Sequence, residues 1–470
     1  MPDSPPASAA FFLIALSTAV ASLYFRLLLQ TRGDSARPTT IRPCGGAGEM
    51  TGWRSMGRRV VVDTTPLRES PRFRSLYLGH MLSFLGRQIA EVAVPLQIYL
   101  LTESTLAVGV LGMAQFIPLM IMSPLGGAIT DAVDRRKLLV VSQLVVAVTA
   151  AGLALNAGSP DPRVWPLYVL SGINAVSSAV ELPARMAVVP SLLRRELLPA
   201  GFALNQTMTQ VAAVVVPAAA GFLIARFSLT LTYVIELVAF VGAALASIGV
   251  GRLLPEGGGR SVSVSSITEG LSYLRRERLI QSCFVIDLNA MIFGMPRALF
   301  PAMGTGIFAG NAATVGLLHA APGAGALLAA VTSGWIGGVR RQGRVVIMAV
   351  VVWGFAITIF GFIAHLPLAL VLLAVAGGAD AISAVLRNTI LQLKVPDALR
   401  GRLASTHIAV VSGGPRLGDL ESGVVASLTS VRFSVVSGGL ACLVGALAIG
   451  RYMPQLWRYQ NGGGTDPPES

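Results

Sequence analysis

The sequence predicts an all-α integral membrane protein with twelve transmembrane helices in two pseudo-symmetric halves of six helices. Three observations predict this fold: the number and length of the apolar runs, the one-sided placement of basic residues, and a short motif that occurs twice. Of the 470 residues, 53% are hydrophobic and only 13% are charged, whereas about 25% are charged in typical soluble domains. A chain of this composition suits a bilayer better than a set of soluble domains.

Thirteen apolar runs approach or exceed the length of about 20 residues that a membrane-spanning helix needs. The first lies at about 8–29, and the other twelve lie near 76–100, 105–129, 138–157, 165–182, 202–225, 230–250, 279–303, 312–338, 345–363, 368–390, 404–426 and 432–452. They are continuous, whereas the strands of a membrane barrel are short and alternate in polarity. The runs therefore predict helices, in which Gly and Pro are tolerated.

The net charge of +13 reflects orientation in the membrane. If the chain before Ser75 is cytoplasmic, 28 Lys and Arg residues fall in the segments on that side of the last twelve runs. Only Arg163, Arg226 and Arg432 fall on the opposite side. Cytoplasmic loops of membrane proteins carry an excess of Lys and Arg, so both ends of the twelve-helix core are expected in the cytoplasm. The same asymmetry argues against a nucleic-acid partner.

The N-terminal run does not belong to the twelve. Its basic residues follow the apolar core, which is unlike a secretory signal peptide but allows a thirteenth span with its N-terminus outside. The segment after it, "TRGDSARPTTIRPCGGAGEM", is typical of an unstructured basic linker. We expect residues 1–55 to be dispensable for function, and to be absent from the native product if translation starts at Met50 or Met56.

The duplicated motif is V-P-x-x-L-R. It begins at Val189 after the fourth core run and at Val395 after the tenth, an offset of 206 residues. Internal duplication is typical of membrane carrier folds. The predicted organisation is an N-terminal extension (1–61), a first half (62–251), a cytoplasmic linker with an amphipathic helix (252–278), a second half (279–453) and a cytoplasmic tail (454–470).

A charged turn between the second and third core runs carries the most specific motif. In "GGAITDAVDRRKL" the positions are Gly127, Asp131, Asp134, Arg135 and Arg136. This stretch resembles the signature loop of the major facilitator superfamily, which has Gly, three residues, Asp, and then basic residues. The resemblance implies a cytoplasmic gate, in which the Asp and Arg clamp the two halves together. Asp134 departs from the pattern, because the family usually has Gly at that position.

Four longer stretches resemble one particular branch of this superfamily. "VDTTPLRESPRFRSLYLGHMLSFLG", "FGMPRALFPA", "VPDALRGRLAS" and "GGPRLGDLESG" look like the bacterial enterobactin (siderophore) exporter branch, which includes drug efflux proteins. The resemblance covers about residues 62–452. It implies export of a siderophore or another amphipathic compound, driven by proton entry.

Signatures of enzymes and cofactor sites are poor. Cys44, Cys283 and Cys442 form no CxxC motif, the four His residues show no metal spacing, and no Walker motif is present. We therefore expect neither an enzyme nor a bound cofactor, and a proton gradient as the source of energy.

Charged residues inside the apolar runs are the candidates for the transport pathway and for proton coupling. Each such charge is costly and usually faces a cavity or a partner. The candidates are Arg87, Glu91, Asp287, Arg297, Asp380, Arg387, Arg416, Asp419 and Glu421, and Glu236 is a weaker one. Arg87 and Glu91 are spaced to satisfy each other along one helix, and together with Asp287 they are expected to face one central cavity. The alternative for each residue is an internal ion pair that holds helices together.

The expected function is therefore proton-coupled secondary transport, most simply export by alternating access. The expected partners are a small-molecule substrate, protons and the bilayer of the cell membrane, and the expected state is a monomer. Two alternatives remain within the same fold, an importer and a flippase-like mover of lipids. A third alternative, from a different class, is a membrane scaffold or sensor that transports nothing.

Overall fold

The computed structural model describes residues 63–253, 277–395 and 397–460, except the side chains of Pro124, Ala128, Asp131 and residues 397–409. The N-terminal run, Met50, Met56 and the amphipathic helix of the predicted linker lie outside the described residues. Within the described ranges all regular secondary structure is helical. The all-α prediction is therefore confirmed for that part of the chain.

The long helices follow one another with short connections. They are α1 (Pro71–Thr102), α2 (Thr105–Ala132), α3 (Arg135–Gly158), α4 (Trp165–Leu192), α5 (Leu198–Arg226), α6 (Leu229–Ile248), α7 (Arg278–Phe293), α8 (Ala312–Val331), α9 (Gln342–Phe362), α10 (Leu366–Lys394), α11 (Asp397–Leu428) and α12 (Val431–Tyr452). Each of the last twelve predicted runs falls largely on one of these helices.

By length and composition, nine of the described helices could cross a membrane. The long helices outside that set are α1, α4 and α11. These three carry the charged pairs Arg87 and Glu91, Glu181 and Arg185, and Arg416 and Asp419. Charged side chains within a helix lower its hydropathy, and each of these three helices carries such a pair in its interior.

Serine side chains fix where several helices begin. Ser70, Ser104, Ser228 and Ser430 precede α1, α2, α6 and α12, and each hydroxyl accepts a hydrogen bond from a backbone N–H in the first turn. Such caps satisfy backbone donors that have no partner within the helix. The same device thus begins α6 and α12, the last helix of each set of six.

The helices pack in two groups with the same pattern of neighbours. In the first group α1 contacts α5 and α6, α3 contacts α4 and α6, and α2 contacts α4. In the second group the corresponding pairs, six helices further along, are also in contact. The main contacts between the groups are those of α2 with α11 and of α5 with α8.

Glycines bring the two groups together at one end of the bundle. We call the end with the basic connections the inner face and the other end the outer face. Near the outer face, a Cβ on Gly316 would lie 2.5 Å from the carbonyl oxygen of Pro217, and a Cβ on Gly423 would lie 2.8 Å from the Cα of Gly109. Thr105 Oγ1 also donates to the carbonyl of Gly423 at 3.3 Å. These close approaches between α5 and α8 and between α2 and α11 form what we call the outer seal.

The seventh helix is not continuous, although the run at 279–303 predicts a single helix. α7 ends at Phe293, and the chain continues through a 3₁₀ turn (Arg297–Leu299), a short α-turn (Phe300–Ala302) and a π-helical turn (Met303–Ile307). The carbonyl of Gly294, at the break, accepts a hydrogen bond of 2.7 Å from Trp353 Nε1. The break is caused by the Gly294-Met295-Pro296 sequence, because proline lacks the N–H that would continue the helix.

Candidate functional site

Two neighbouring chambers lie between the two groups of helices. The first has a volume of about 130 Å³ and is lined by α1, α2, α3, α4, α8 and α11 and by the segment after α7. Its polar and charged lining residues are Arg87, Glu91, Gln115, Ser171, Asn174, Ser178, Arg297, His319, Arg416 and Asp419. Both groups therefore contribute charge to one polar chamber.

The second chamber, of about 300 Å³, lies between α1 and α5 on one side and α8 and α10 on the other. Its wall is mostly apolar and includes Phe84 and Phe300. Two acids, Glu91 and Asp380, also line it, together with Arg297. A chamber with aromatic walls and a few charged groups is typical of sites that bind organic molecules.

Glu91, Arg297 and His319 line both chambers. Arg297 lies just after the break in α7, and broken membrane helices commonly form substrate sites. His319 Nδ1 lies 2.9 Å from the carbonyl oxygen of Val315. Because a carbonyl only accepts, Nδ1 carries the hydrogen, and a neutral His319 keeps Nε2 as an acceptor.

A buried ion pair joins α1 to α4 in the first group. Glu181 is 1% exposed, and its Oε2 lies 2.7 Å from Arg87 Nη1 while its Oε1 lies 3.2 Å from Arg87 Nη2. Ser83 Oγ donates to Oε1 at 3.3 Å, and Arg185 Nη1 lies 3.4 Å from it. One carboxylate therefore balances two guanidinium groups, which leaves this cluster with a net positive charge.

The second group carries an ion pair with the signs exchanged. Arg387 on α10 contacts Asp287 on α7, and its Nη2 lies 4.0 Å from Asp380 Oδ1. Here one guanidinium balances two carboxylates, so the cluster has a net negative charge. Glu181 and Arg387 are 206 residues apart, the same offset as the duplicated V-P-x-x-L-R motif. The first and fourth helices of each group are thus tied by one ion pair, with acid and base exchanged.

The remaining central charges form no ion pair within 4.0 Å among the described residues. Asp419 Oδ1 accepts a hydrogen bond of 3.1 Å from the backbone N–H of Ala298, beside the α7 break. Arg416 Nη1 donates to the carbonyl of Ser412 at 2.6 Å. Glu91 is exposed in the chambers. Asp419 and Arg416 are therefore held mainly by backbone groups.

The structure corrects two sequence expectations. Arg87 pairs with Glu181 on another helix instead of with Glu91 on its own, because the bidentate geometry across helices uses both guanidinium nitrogens. Asp287 is 2% exposed and pairs with Arg387, so it does not line the chambers with Arg87 and Glu91. The six candidates that do line them are Arg87, Glu91, Arg297, Asp380, Arg416 and Asp419. Glu421 lies nearer the outer end of α11 and lines neither chamber.

Sequence reasoning missed two residues of this site. Glu181 comes near the end of a run, and its spacing of four residues from Arg185 was the available signal. His319 was considered only as a metal ligand and was set aside for lack of spacing. No spacing along the chain indicates that it would lie 4.9 Å, centroid to centroid, from the Phe300 ring at the chamber wall.

The signature loop makes its described contacts within the first group. Asp134 caps α3, and its Oδ1 accepts hydrogen bonds from Arg136 N at 3.0 Å and Leu253 N at 3.2 Å. Arg135 N in turn donates to the carbonyl of Leu253 at 3.2 Å, and Arg135 Nη1 donates to the carbonyl of Ala187 on α4 at 3.3 Å. Asp134 thus ties the chain after α6 to the start of α3, which glycine could not do. The clamp between halves by Asp131 stays a prediction.

The sequence is similar to those of known membrane exporters. A sequence profile of the family described as transmembrane secretion effectors matches residues 62–460. The enterobactin exporter EntS of Citrobacter koseri is 29% identical over 392 residues, which cover 82% of this chain and 93% of that protein. The Escherichia coli enterobactin exporter EntS is 28% identical over 394 residues, covering 83% and 94%.

Solved structures show the same fold at low identity. The nucleoside transporter NupG superposes with a TM-score of 0.64 at 13% identity, covering 83% of this chain and 99% of that one. A peptide transporter POT in complex with sulfate gives 0.67 at 12% identity, covering 84% and 96%. The match over nearly the whole described chain shows that it belongs to the transmembrane secretion effector family of the major facilitator superfamily, as a membrane transporter and not an enzyme.

Proposed function

We propose that this chain exports a siderophore or another amphipathic molecule across the cell membrane, in exchange for protons, by alternating access. The observation that carries the proposal is the pair of chambers lined by charged and aromatic residues from both groups of helices. A site built from two separately packed groups changes its access when one group rocks against the other.

The proposed cycle uses the outer seal as one of two gates. The glycine contacts between α5 and α8 and between α2 and α11 close the outer side in this conformation. The described contacts of the signature loop stay within the first group. We infer that the clamp by Asp131 forms on the inner side when the outer seal opens, so that the two gates alternate.

Proton coupling is proposed for the acids that face the chambers. Glu91 is exposed there, and the Asp380 side chain is 32% exposed and shares one guanidinium with Asp287. An acid in an accessible cavity with incomplete charge compensation can exchange a proton during the cycle. Asp287 fits this role less well because it is buried against Arg387.

The substrate class follows from the chambers and the relatives together. The second chamber combines Phe84 and Phe300 with acids at its edge, which suits a molecule with an apolar body and polar groups. Two of this chain's relatives are named enterobactin exporters. We propose twelve spans in two halves of six, with both ends of the core at the cytoplasmic face, acting as a monomer without a cofactor.

Inverted membrane vesicles test this proposal, because their interior corresponds to the outside of the cell. We expect siderophores or amphipathic dyes to accumulate inside when the interior is acidic, and to stop accumulating when the proton gradient is collapsed. Vesicles from cells without the chain are the control. Accumulation only in right-side-out vesicles would indicate an importer, and no transport of either class would contradict the proposal.

A further inference from the structure

Glu236 is a buried acid that lies outside both chambers. It lies on α6 and is 0% exposed, and neither of its carboxylate oxygens has a hydrogen-bond partner among the described residues. Seven residues separate it from the start of α6 at the outer face, which corresponds to about 10 Å at the helical rise of 1.5 Å per residue. Glu236 lines neither chamber.

The helices around Glu236 offer it no counter-charge. α6 packs mainly on α1 and α3, with a smaller contact to α5. The charged residues of α3 are confined to Arg135, Arg136 and Lys137 at its inner end, and α5 has only Arg226 at its outer end. On α1, Arg87 and Glu91 line the first chamber. The other titratable groups of α1 are Arg72, Arg74, Tyr77, His80 and Tyr99.

Two hydrogen-bonded polar side chains lie beside Glu236, towards the outer face. Tyr233 precedes it by three residues on α6, so the two side chains share a helix face. Tyr233 Oη donates to Gln97 Oε1 on α1 at 2.8 Å, and both residues are buried. This phenol and amide lie on the outer side of Glu236, where the buried Thr232 of α6 adds a hydroxyl that donates to the carbonyl of Ser228.

An isolated carboxylate in an apolar membrane interior is strongly unfavourable, whereas the neutral acid is tolerated. We propose that Glu236 is a proton-binding site separate from the substrate chambers, protonated in this outer-closed conformation and exchanging its proton with the outer face past Tyr233 and Gln97. The site holds one proton as the neutral carboxylic acid and releases it as H⁺ when it ionises. Its role in transport rests on the proposed proton coupling, but its protonation does not.

Infrared spectroscopy of the purified chain reconstituted in lipid tests the site without a substrate. The carbonyl stretch of a buried protonated carboxyl should be present at neutral pH and lost in Glu236→Gln, which keeps the shape of the neutral acid. Glu103→Gln, which changes an exposed acid just after α1, is the matched control and should leave that band. A band that is unchanged in Glu236→Gln would overturn the proposal.

The proposed route is tested by the same band in deuterated buffer. Exchange shifts the carbonyl band, and we expect the shift to be slower in Tyr233→Phe than in the wild type, with the band itself retained. An equal exchange rate in both would overturn the route past Tyr233.

A second measurement follows the thermal unfolding temperature as pH is raised. The unfolding temperature of the wild type should fall as the pH rises above the range in which an exposed glutamate ionises, because the unfolded chain has then lost a proton that the folded chain still holds on Glu236. In Glu236→Gln the unfolding temperature should fall less steeply with pH than in the wild type. An equal pH dependence in the two proteins would contradict the proposal. Neither readout needs transport, so a failure of proton-coupled export would be recognised separately in the vesicle assay.

Discussion

Glu181 determines the charge balance of the first group of helices. It is buried between two arginines, and its contact with Arg87 is the only described ion pair between α1 and α4. Removing one partner from a buried ion pair leaves an uncompensated charge, which is far more costly than removing both. The stability of this group should therefore depend on Glu181 more than on any exposed acid.

We expect Glu181→Gln to lower the free energy of unfolding by about 3–5 kcal/mol, the usual effect of breaking a buried pair. Thermal unfolding of the detergent-solubilised protein measures the loss. The double variant Arg87→Gln/Glu181→Gln should be less destabilised than the sum of the two single variants, because it removes both charges together. Glu196→Gln, at an exposed acid, is the control. Additive effects of the two single changes would show that the pair is not coupled.

Asp380 and Asp287 share Arg387 but should respond differently to neutralisation. Asp380→Asn removes a chamber-facing acid and should reduce proton-driven transport with little change in unfolding temperature. Asp287→Asn removes the buried partner of Arg387 and should mainly reduce stability. Vesicle transport and thermal unfolding of the same two preparations separate these effects. The opposite assignment of the two phenotypes would place the coupling acid at Asp287.

The sequence indicates which residues are charged inside apolar runs, but not how they pair. Spacing along one helix suggested Arg87 with Glu91, while the actual partner of Arg87 comes from α4, 94 residues away. Partners on different helices depend on how each helix is rotated, which composition does not determine. Glu181 and Arg387 occupy equivalent positions in the two groups with opposite charges. This equivalence becomes apparent only when the repeat offset of 206 residues is combined with the ion pairs that each residue forms.

At the scale of elements, Asp134 joins the end of one helix to the start of another. Its side chain caps α3 and also accepts from Leu253 N, so the chain leaving α6 is held against the inner end of α3. The sequence showed that Asp134 departs from the family pattern. It did not show the consequence, because Leu253 is 119 residues away along the chain.

Asp134→Ala should lower the free energy of unfolding by about 0.5–2 kcal/mol, as expected for loss of a helix cap. Asp134→Asn keeps an acceptor oxygen at the same place and should be close to the wild type. Thermal unfolding of the three proteins provides the comparison. If the Ala and Asn variants were equally destabilised, the charge of Asp134 and not its hydrogen bonds would be responsible.

The outer seal gives a prediction for conformation. In Gly316→Val the new side chain meets the carbonyl of Pro217 and the backbone of Gly221, so α5 and α8 cannot approach as closely. We expect the outer-closed state to become less populated. A cysteine placed at Ser178 in the first chamber, in a variant without the native cysteines, should then react faster with an impermeant maleimide added outside cells.

Gly334→Val is the matched control for this experiment, because a Cβ at Gly334 would meet nothing within 4 Å. Its labelling rate should equal that of the parent protein. Unchanged labelling in Gly316→Val would show that the contact between α5 and α8 does not close the outer side.

At the scale of the whole molecule, helix positions were the most predictable feature. Each core run falls largely on a described helix, since long apolar segments have few alternatives in a bilayer. The break after Phe293 was not predicted, although Gly294 and Pro296 were visible, because membrane helices often accommodate both residues. The chambers also could not be predicted, since their shape depends on how the two groups meet.

Proton movement coupled to substrate movement tests the central claim most directly. The chain is reconstituted in liposomes that contain a pH-sensitive dye, and the compound that accumulates best in inverted vesicles is added. We predict that substrate moving one way drives protons the other way, and that Glu91→Gln or Asp380→Asn abolishes this proton flux while substrate exchange continues. Substrate transport that moves no protons and is unaffected by a collapsed proton gradient would contradict the account.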